Sequence, residues 1–145
     1  MAMGQDPEMV KAIMSAVKAA VDVPVIPKLT PNVDRIEDIG LAALEAGADG
    51  LCAINTVGPG YTESHGHPVL SNGMGGMSGS GVLPTALKCI RALKTITDKP
   101  IIGCGGLSTA DDCRAAISAG ASIIGVGSAL SGMDTEDMNA YFRQL

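Results

Sequence analysis

Apolar positions along the chain follow two alternating rhythms. Four short, nearly continuous runs, Pro24–Leu29, Gly50–Asn55, Pro100–Cys104 and Ser122–Val126, are rich in Val, Ile and Leu. Runs of that length suit strands buried on both faces. Between them, apolar residues recur at three- and four-residue spacing, the period of a helix with one buried face. Val10, Ile13, Met14 and Val17 mark a first helix; Asp34–Ala46, Pro84–Thr97, Thr109–Gly120 and Asp134–Leu145 mark four more. Asp6 before Pro7 is a helix start, because Pro at the first helical position lacks only an N–H that would have had no partner. Thr109 followed by Asp112 is a capping-box pattern, and Gly47 and Gly120 are stops where a left-handed residue is needed.

The order α-β-α-β-α-β-α-β-α predicts parallel strands joined by right-handed crossovers. A near-repeat supports it: Ala46-Gly47-Ala48-Asp49 and Ala119-Gly120-Ala121-Ser122 stand at equivalent helix-to-strand turns. One connection breaks the rhythm. Thr56–Val82, rich in Gly, Ser and Pro, reads as a long loop after the second strand, on the side where barrels build their active sites.

The chain has 145 residues, with no Trp, one Phe and two Tyr, so aliphatic side chains must fill the interior. That length is one domain, residues 1–145. A complete barrel takes about 250 residues. The expected fold class is therefore α/β, of (β/α)8 TIM-barrel type, with about half of the barrel in this chain. The net charge is −5 and no basic patch is visible, which argues against nucleic acid as a partner. No apolar run approaches the roughly 18 residues that span a bilayer, and charges within the first twenty residues exclude a secretory core, so a cytoplasmic protein is expected. Cys52, Cys89, Cys104 and Cys113 have no CxxC spacing, as free thiols in a reducing compartment would. His65 and His67, with only Glu63 nearby, make exposed loop residues, and no metal site is expected.

Gly103-Cys104-Gly105-Gly106 and Gly125-Val126-Gly127-Ser128 end the last two strands. Either could be a tight turn alone. Together, one βα unit apart, they suit a phosphate cradle, because backbone N–H groups approach a phosphate closely where no Cβ intervenes. Lys28 ends an otherwise apolar strand and should point to a ligand or a carboxylate, unless it reaches solvent along its stem. Asn55-Thr56, at the end of the second strand, could meet a planar heterocycle or carboxylate, or start an Asx-turn. Gly75-Gly76-Met77-Ser78-Gly79 is able to wrap a flat ligand. Ser78 and Ser128 lack a nucleophile elbow, so serine chemistry is not expected.

Taken in order, Gly4-Gln5-Asp6-Pro7-Glu8, Lys28-Leu29-Thr30-Pro31-Asn32-Val33, Ile54-Asn55-Thr56, Gly75-Gly76-Met77-Ser78-Gly79, Gly105-Gly106 and Gly127-Ser128 resemble the C-terminal half of class 1 dihydroorotate dehydrogenases. The resemblance runs from about Gly4 to Leu130. It implies FMN as cofactor and oxidation of dihydroorotate to orotate in pyrimidine biosynthesis, with a base taking a proton from C5 and hydride passing from C6 to the flavin. It places Lys28 near the flavin ring, Ile54 and Gly79 against it, Asn55 and Thr56 on substrate, and Gly105, Gly106, Gly127 and Ser128 around the FMN phosphate. The family's catalytic base lies upstream of Gly4, so no catalytic residue is assigned in this chain. The chain resembles a fragment starting at an internal Met, expected to form a homo-oligomer or join a complementary half barrel, with an electron-transfer subunit as a further partner. Single motifs also resemble the flavin domain of dihydropyrimidine dehydrogenases, and the absent base leaves a non-catalytic phosphate-binding module as another reading.

Overall fold

The computed structural model describes residues 2–145. Its helices are α1 (Pro7–Ala20), α2 (Ile36–Glu45), α3 (Leu83–Lys94), α4 (Ala110–Ala119) and α5 (Thr135–Phe142). The strands are β1 (Lys28–Leu29), β2 (Leu51–Ala53), β3 (Val57–Tyr61), β4 (Glu63–Ser64), β5 (His67–Pro68), β6 (Met74–Met77), β7 (Ile101–Cys104) and β8 (Ile123–Gly125). The first, second, seventh and eighth form one parallel sheet in the order β1-β2-β7-β8. Strand neighbours in sequence order, each pair separated by a helix, are the plan of a (β/α)8 barrel, here represented by four units.

The register explains the packing. Cys52 lies opposite Lys28 and Ile102, and Ile102 opposite Ile123. Side chains alternate along a strand, so this row points to one face. The other row, Leu29, Leu51, Ala53, Ile101 and Gly103, points to the helices. Leu51, Ala53 and Ile101 are wholly buried there, with Ile90 and Leu93 of α3 against them. Gly103 permits the close fit: a Cβ on it would stand 2.8 Å from the Ala121 methyl and 3.0 Å from Ile90. Strands covered on both faces were expected. The helix face is fully covered and the other only in part: Cys104 is buried, Cys52 and Ile102 are half-buried, and Ile123 is 49% exposed.

The first strand is shorter than the run Pro24–Leu29. Pro24 and Pro27 have no N–H to donate to a ladder, yet the Val25 and Pro27 carbonyls accept from Asp49 and Cys52 at 2.9 Å, keeping the segment beside β2. The long excursion is also corrected. It is an antiparallel ribbon, β3 against β6 with Val57 opposite Met77 and Gly60 opposite Gly75, tipped by the small β4–β5 hairpin that carries the exposed His65 and His67.

Helix ends follow the sequence signals. Asp6 Oδ1 accepts from the Glu8 and Met9 amides, and Asp134 Oδ1 from those of Glu136 and Asp137. Gly47 and Gly120 sit at φ +95° and +116°, and the amides of Ala48 and Ala121 reach back to Ala43 and Ala116 at 3.0 Å, so the repeat is a pair of matching Schellman caps. At α4, Thr109 Oγ1 accepts from the Asp112 amide while Asp112 Oδ2 accepts from the Thr109 amide.

The hydrogen bond with Thr109, joined by the Ser108 and Thr109 amides, holds the Asp112 carboxyl below the usual range. A depressed native pKa stabilises the fold above the unfolded value of about 3.9 and ceases to do so as pH falls through the native value. Thr109→Ala is expected to lower the unfolding free energy by about 1 kcal/mol at neutral pH. The deficit shrinks below about pH 4, as urea titrations across pH would record.

Candidate functional site

At the carboxyl ends of β1, β2, β7 and β8 lies a cavity of about 380 Å³, within the range usual for small-molecule sites. Lys28, Ile54, Asn55, Thr56, Gly79, Gly105, Gly106, Gly127 and Ser128 all line it. The nine positions named from the sequence therefore converge, from four strand ends and from the return of the ribbon.

The two glycine turns differ in what holds them. Gly105 and Gly106 have φ +110° and +78°, where a side chain is strained. A Cβ on Gly105 would meet Ile54 at 2.8 Å, and one on Gly106 would meet the Leu83 backbone nitrogen at 2.6 Å and the Gly79 oxygen at 3.0 Å. This turn is thus wedged between β2, the ribbon's end and the start of α3. A Cβ on Gly127 would meet nothing within 4 Å, and the same holds for Gly79; side chains there would enter the cavity itself. Among the described residues, the amides of Gly106, Gly127 and Ser128 meet no protein acceptor. Uncommitted N–H groups with no Cβ in the way are the requirement of an anion cradle, so the residues present fit a phosphate.

Asn55 and Thr56 are held by a neighbour not singled out from the sequence. Asn32 donates from Nδ2 to the Thr56 carbonyl at 3.1 Å and accepts the Gly58 amide on Oδ1 at 2.9 Å, clipping the ribbon's root to the end of β1. Asn55 Oδ1 accepts the Thr56 amide at 2.8 Å. This bond reaches only the next residue, one short of the Asx-turn weighed from the sequence, and Nδ2 meets no protein acceptor among the described residues. Lys28 is exposed and enters no ion pair among the described residues, so the carboxylate partner considered for it is absent.

Its neighbours are sulfurs. Cys52 Sγ and Cys104 Sγ are 3.6 Å apart, and Cys104 Sγ donates to the Ile54 carbonyl at 3.4 Å. The hydrogen bond between them, then the Lys28 ammonium, holds the Cys104 thiol below its ordinary range; the same hydrogen bond, then burial, pushes Cys52 up. The directions belong to the dithiol as a unit: its first ionisation is eased and its second hindered.

A sequence profile described as dihydroorotate dehydrogenase matches residues 1–140. The chain belongs to the dihydroorotate dehydrogenase family. Among curated members, the catalytic subunit of dihydroorotate dehydrogenase B (NAD(+)) from Methanocella arvoryzae is 49% identical over 128 residues, 88% of this chain and 42% of that protein. The subunits of the same name from Thermococcus kodakarensis and Streptococcus pneumoniae are each 48% identical, over 90% and 87% of this chain and 44% and 41% of theirs. The chain thus spans somewhat over two-fifths of these relatives' length. A crystal structure of the Eimeria tenella enzyme, solved with ferulenol, superposes with a TM-score of 0.71 at 23% identity, covering 87% of this chain and 40% of that one. It establishes the fold, which is part of a (β/α)8 barrel.

The contrast between the two family turns is measurable. Gly106→Ala is expected to lower the unfolding free energy by about 2–4 kcal/mol, combining left-handed strain with a backbone clash. Gly127→Ala should stay within about 0.5 kcal/mol of the parent. Equal losses in denaturant titrations would mean that Gly127 is also a packing glycine.

Proposed function

We propose that this chain forms the phosphate-gripping and substrate-facing part of a cytoplasmic, FMN-dependent dihydroorotate dehydrogenase that oxidises dihydroorotate to orotate in pyrimidine biosynthesis. One observation carries the reading: both glycine turns, Lys28 and the Asn55-Thr56 pair border a single cavity at the carboxyl ends of the strands. FMN, when bound, supplies the hydride acceptor.

The chain's own residues bind and orient. The amides of Gly106, Gly127 and Ser128 donate to the phosphate, and the bare Cα of Gly127 lets it approach. Lys28, with no carboxylate beside it, offers its charge to an electron-rich ring edge. Ile54, 2% exposed, and Gly79 form an apolar wall that keeps water from that ring. Asn55, with Oδ1 engaged by the Thr56 amide, presents Nδ2 as a donor to a substrate carboxylate or carbonyl, and the Thr56 hydroxyl adds a second polar contact. No proton-accepting residue is assigned here; that group belongs to the part of the family fold lying before Gly4.

The named relatives are catalytic subunits, which supports an electron-transfer subunit as partner. The sheet ends in two parallel edges, β1 and β8, and edges of this kind are closed by further strands, so a complementary half barrel or a second copy is the expected neighbour. The profile match favours dihydroorotate over the substrates of the dihydropyrimidine dehydrogenases, and over a non-catalytic module.

Titration of FMN with the purified chain should quench flavin fluorescence saturably. Gly127→Val should raise the dissociation constant at least tenfold, about 1.4 kcal/mol, with unchanged far-UV circular dichroism. Fluorescence that stays undiminished in excess chain would contradict the reading.

A further inference from the structure

Among the cavity-lining groups to which the flavin reading gives no role are the sulfurs of Cys52 and Cys104. They lie on neighbouring strands in fixed register. Cys52 is opposite Ile102, and Cys104 follows two residues later on the same face. This diagonal places the sulfurs 3.6 Å apart, and the bond from Cys104 Sγ to the Ile54 carbonyl sets that side chain's direction. The remaining cysteines, Cys89 and Cys113, are buried on α3 and α4 away from the cavity. No group of three or more His, Cys, Asp or Glu among the described residues could hold a metal, so the two thiols are not part of a larger ligand set.

We propose that Cys52 and Cys104 form an oxidisable dithiol that closes to a disulfide across the floor of the cavity, with hydrogen peroxide as the class of oxidant. Its geometry stands whether or not a flavin binds above it. Cys52 is half-buried and Cys104, although buried, borders the cavity, which a molecule as small as peroxide can enter. In the first step one thiolate attacks a peroxide oxygen: an S–O bond forms, the O–O bond breaks, and the departing hydroxide takes a proton to become water. In the second, the other sulfur attacks the resulting sulfenic acid. An S–S bond forms, the S–O bond breaks, and hydroxide leaves with the remaining thiol proton as a second water. Two thiols are oxidised and one peroxide is reduced. Lys28, opposite Cys52 in the register, favours the anion that begins the sequence, as a neighbouring cation does for reactive cysteines. A dithiol reductant reverses the closure by exchange.

The experiment treats the purified chain with a few equivalents of peroxide, alkylates in denaturant and maps peptides without reduction. The expected result is a single cross-linked species joining the peptides of Cys52 and Cys104, lighter by two hydrogens, with Cys89 and Cys113 still alkylated. Dithiothreitol should restore four alkylated thiols. Cys52→Ser and Cys104→Ser should each abolish the cross-link and leave the surviving cysteine as sulfenic or sulfinic acid. Four free thiols at a dose that oxidises Cys52→Ser at Cys104 would overturn the proposal, as would cross-links shared with Cys89 or Cys113. Because no flavin is added, a failure here is distinct from a failure of FMN to bind.

Discussion

The parallel register between β2 and β7 decides what the rest of the molecule can do. With Leu51 opposite Ile101 and Cys52 opposite Ile102, one set of side chains is committed to the helices and the other to the cavity. A shift of one residue would exchange the sets, putting thiols into an aliphatic core and leucines into the ligand space. The fully buried pair Leu51 and Ile101, packed on Ile90 and Leu93, makes such a shift costly, since each large aliphatic side chain contributes about 1.5–3 kcal/mol by its burial. The site therefore inherits its geometry from a core on the opposite side of the sheet.

Glycine then serves two separate ends at the same rim. At Gly105 and Gly106 it lets three elements meet: β2 through Ile54, the ribbon through Gly79, and α3 through Leu83. At Gly127 nothing of the protein approaches, and the bare Cα leaves space facing the cavity. The first use locks the turn, and the second leaves open space beside it. Asn32 completes the arrangement by tying the end of β1 to the start of the ribbon, which fixes Asn55 and Thr56 relative to Lys28.

Much of this was legible in the residues. Caps at Asp6 and Thr109 and the stops at Gly47 and Gly120 are local devices, satisfied within a turn of chain, and pattern alone finds them. The four strands were visible as apolar runs, although Pro24 and Pro27 shorten the first by lacking donors. The ribbon was not visible. Its ladder runs through Gly60 and Gly75, where a Cβ would collide with Met77 and Leu70, so close backbone approach stands in for the alternating apolar pattern that usually betrays a hairpin. The dithiol was also hidden, because Cys52 and Cys104 meet only through lateral register, to which sequence spacing is blind. The partly open inner face was missed for a related reason: an apolar run reports that a strand lies inside a fold, and says nothing about which chain segment covers it.

The central claim is that the turns after β7 and β8 grip one phosphate. Amide resonances report it directly in an isotope-labelled sample titrated with FMN. The account predicts that Gly106, Gly127 and Ser128 shift together along one saturation curve, while Gly66 and Gly73, at the end of the ribbon that does not line the cavity, stay still. Shifts confined to one turn, or spread evenly over the chain, would contradict it.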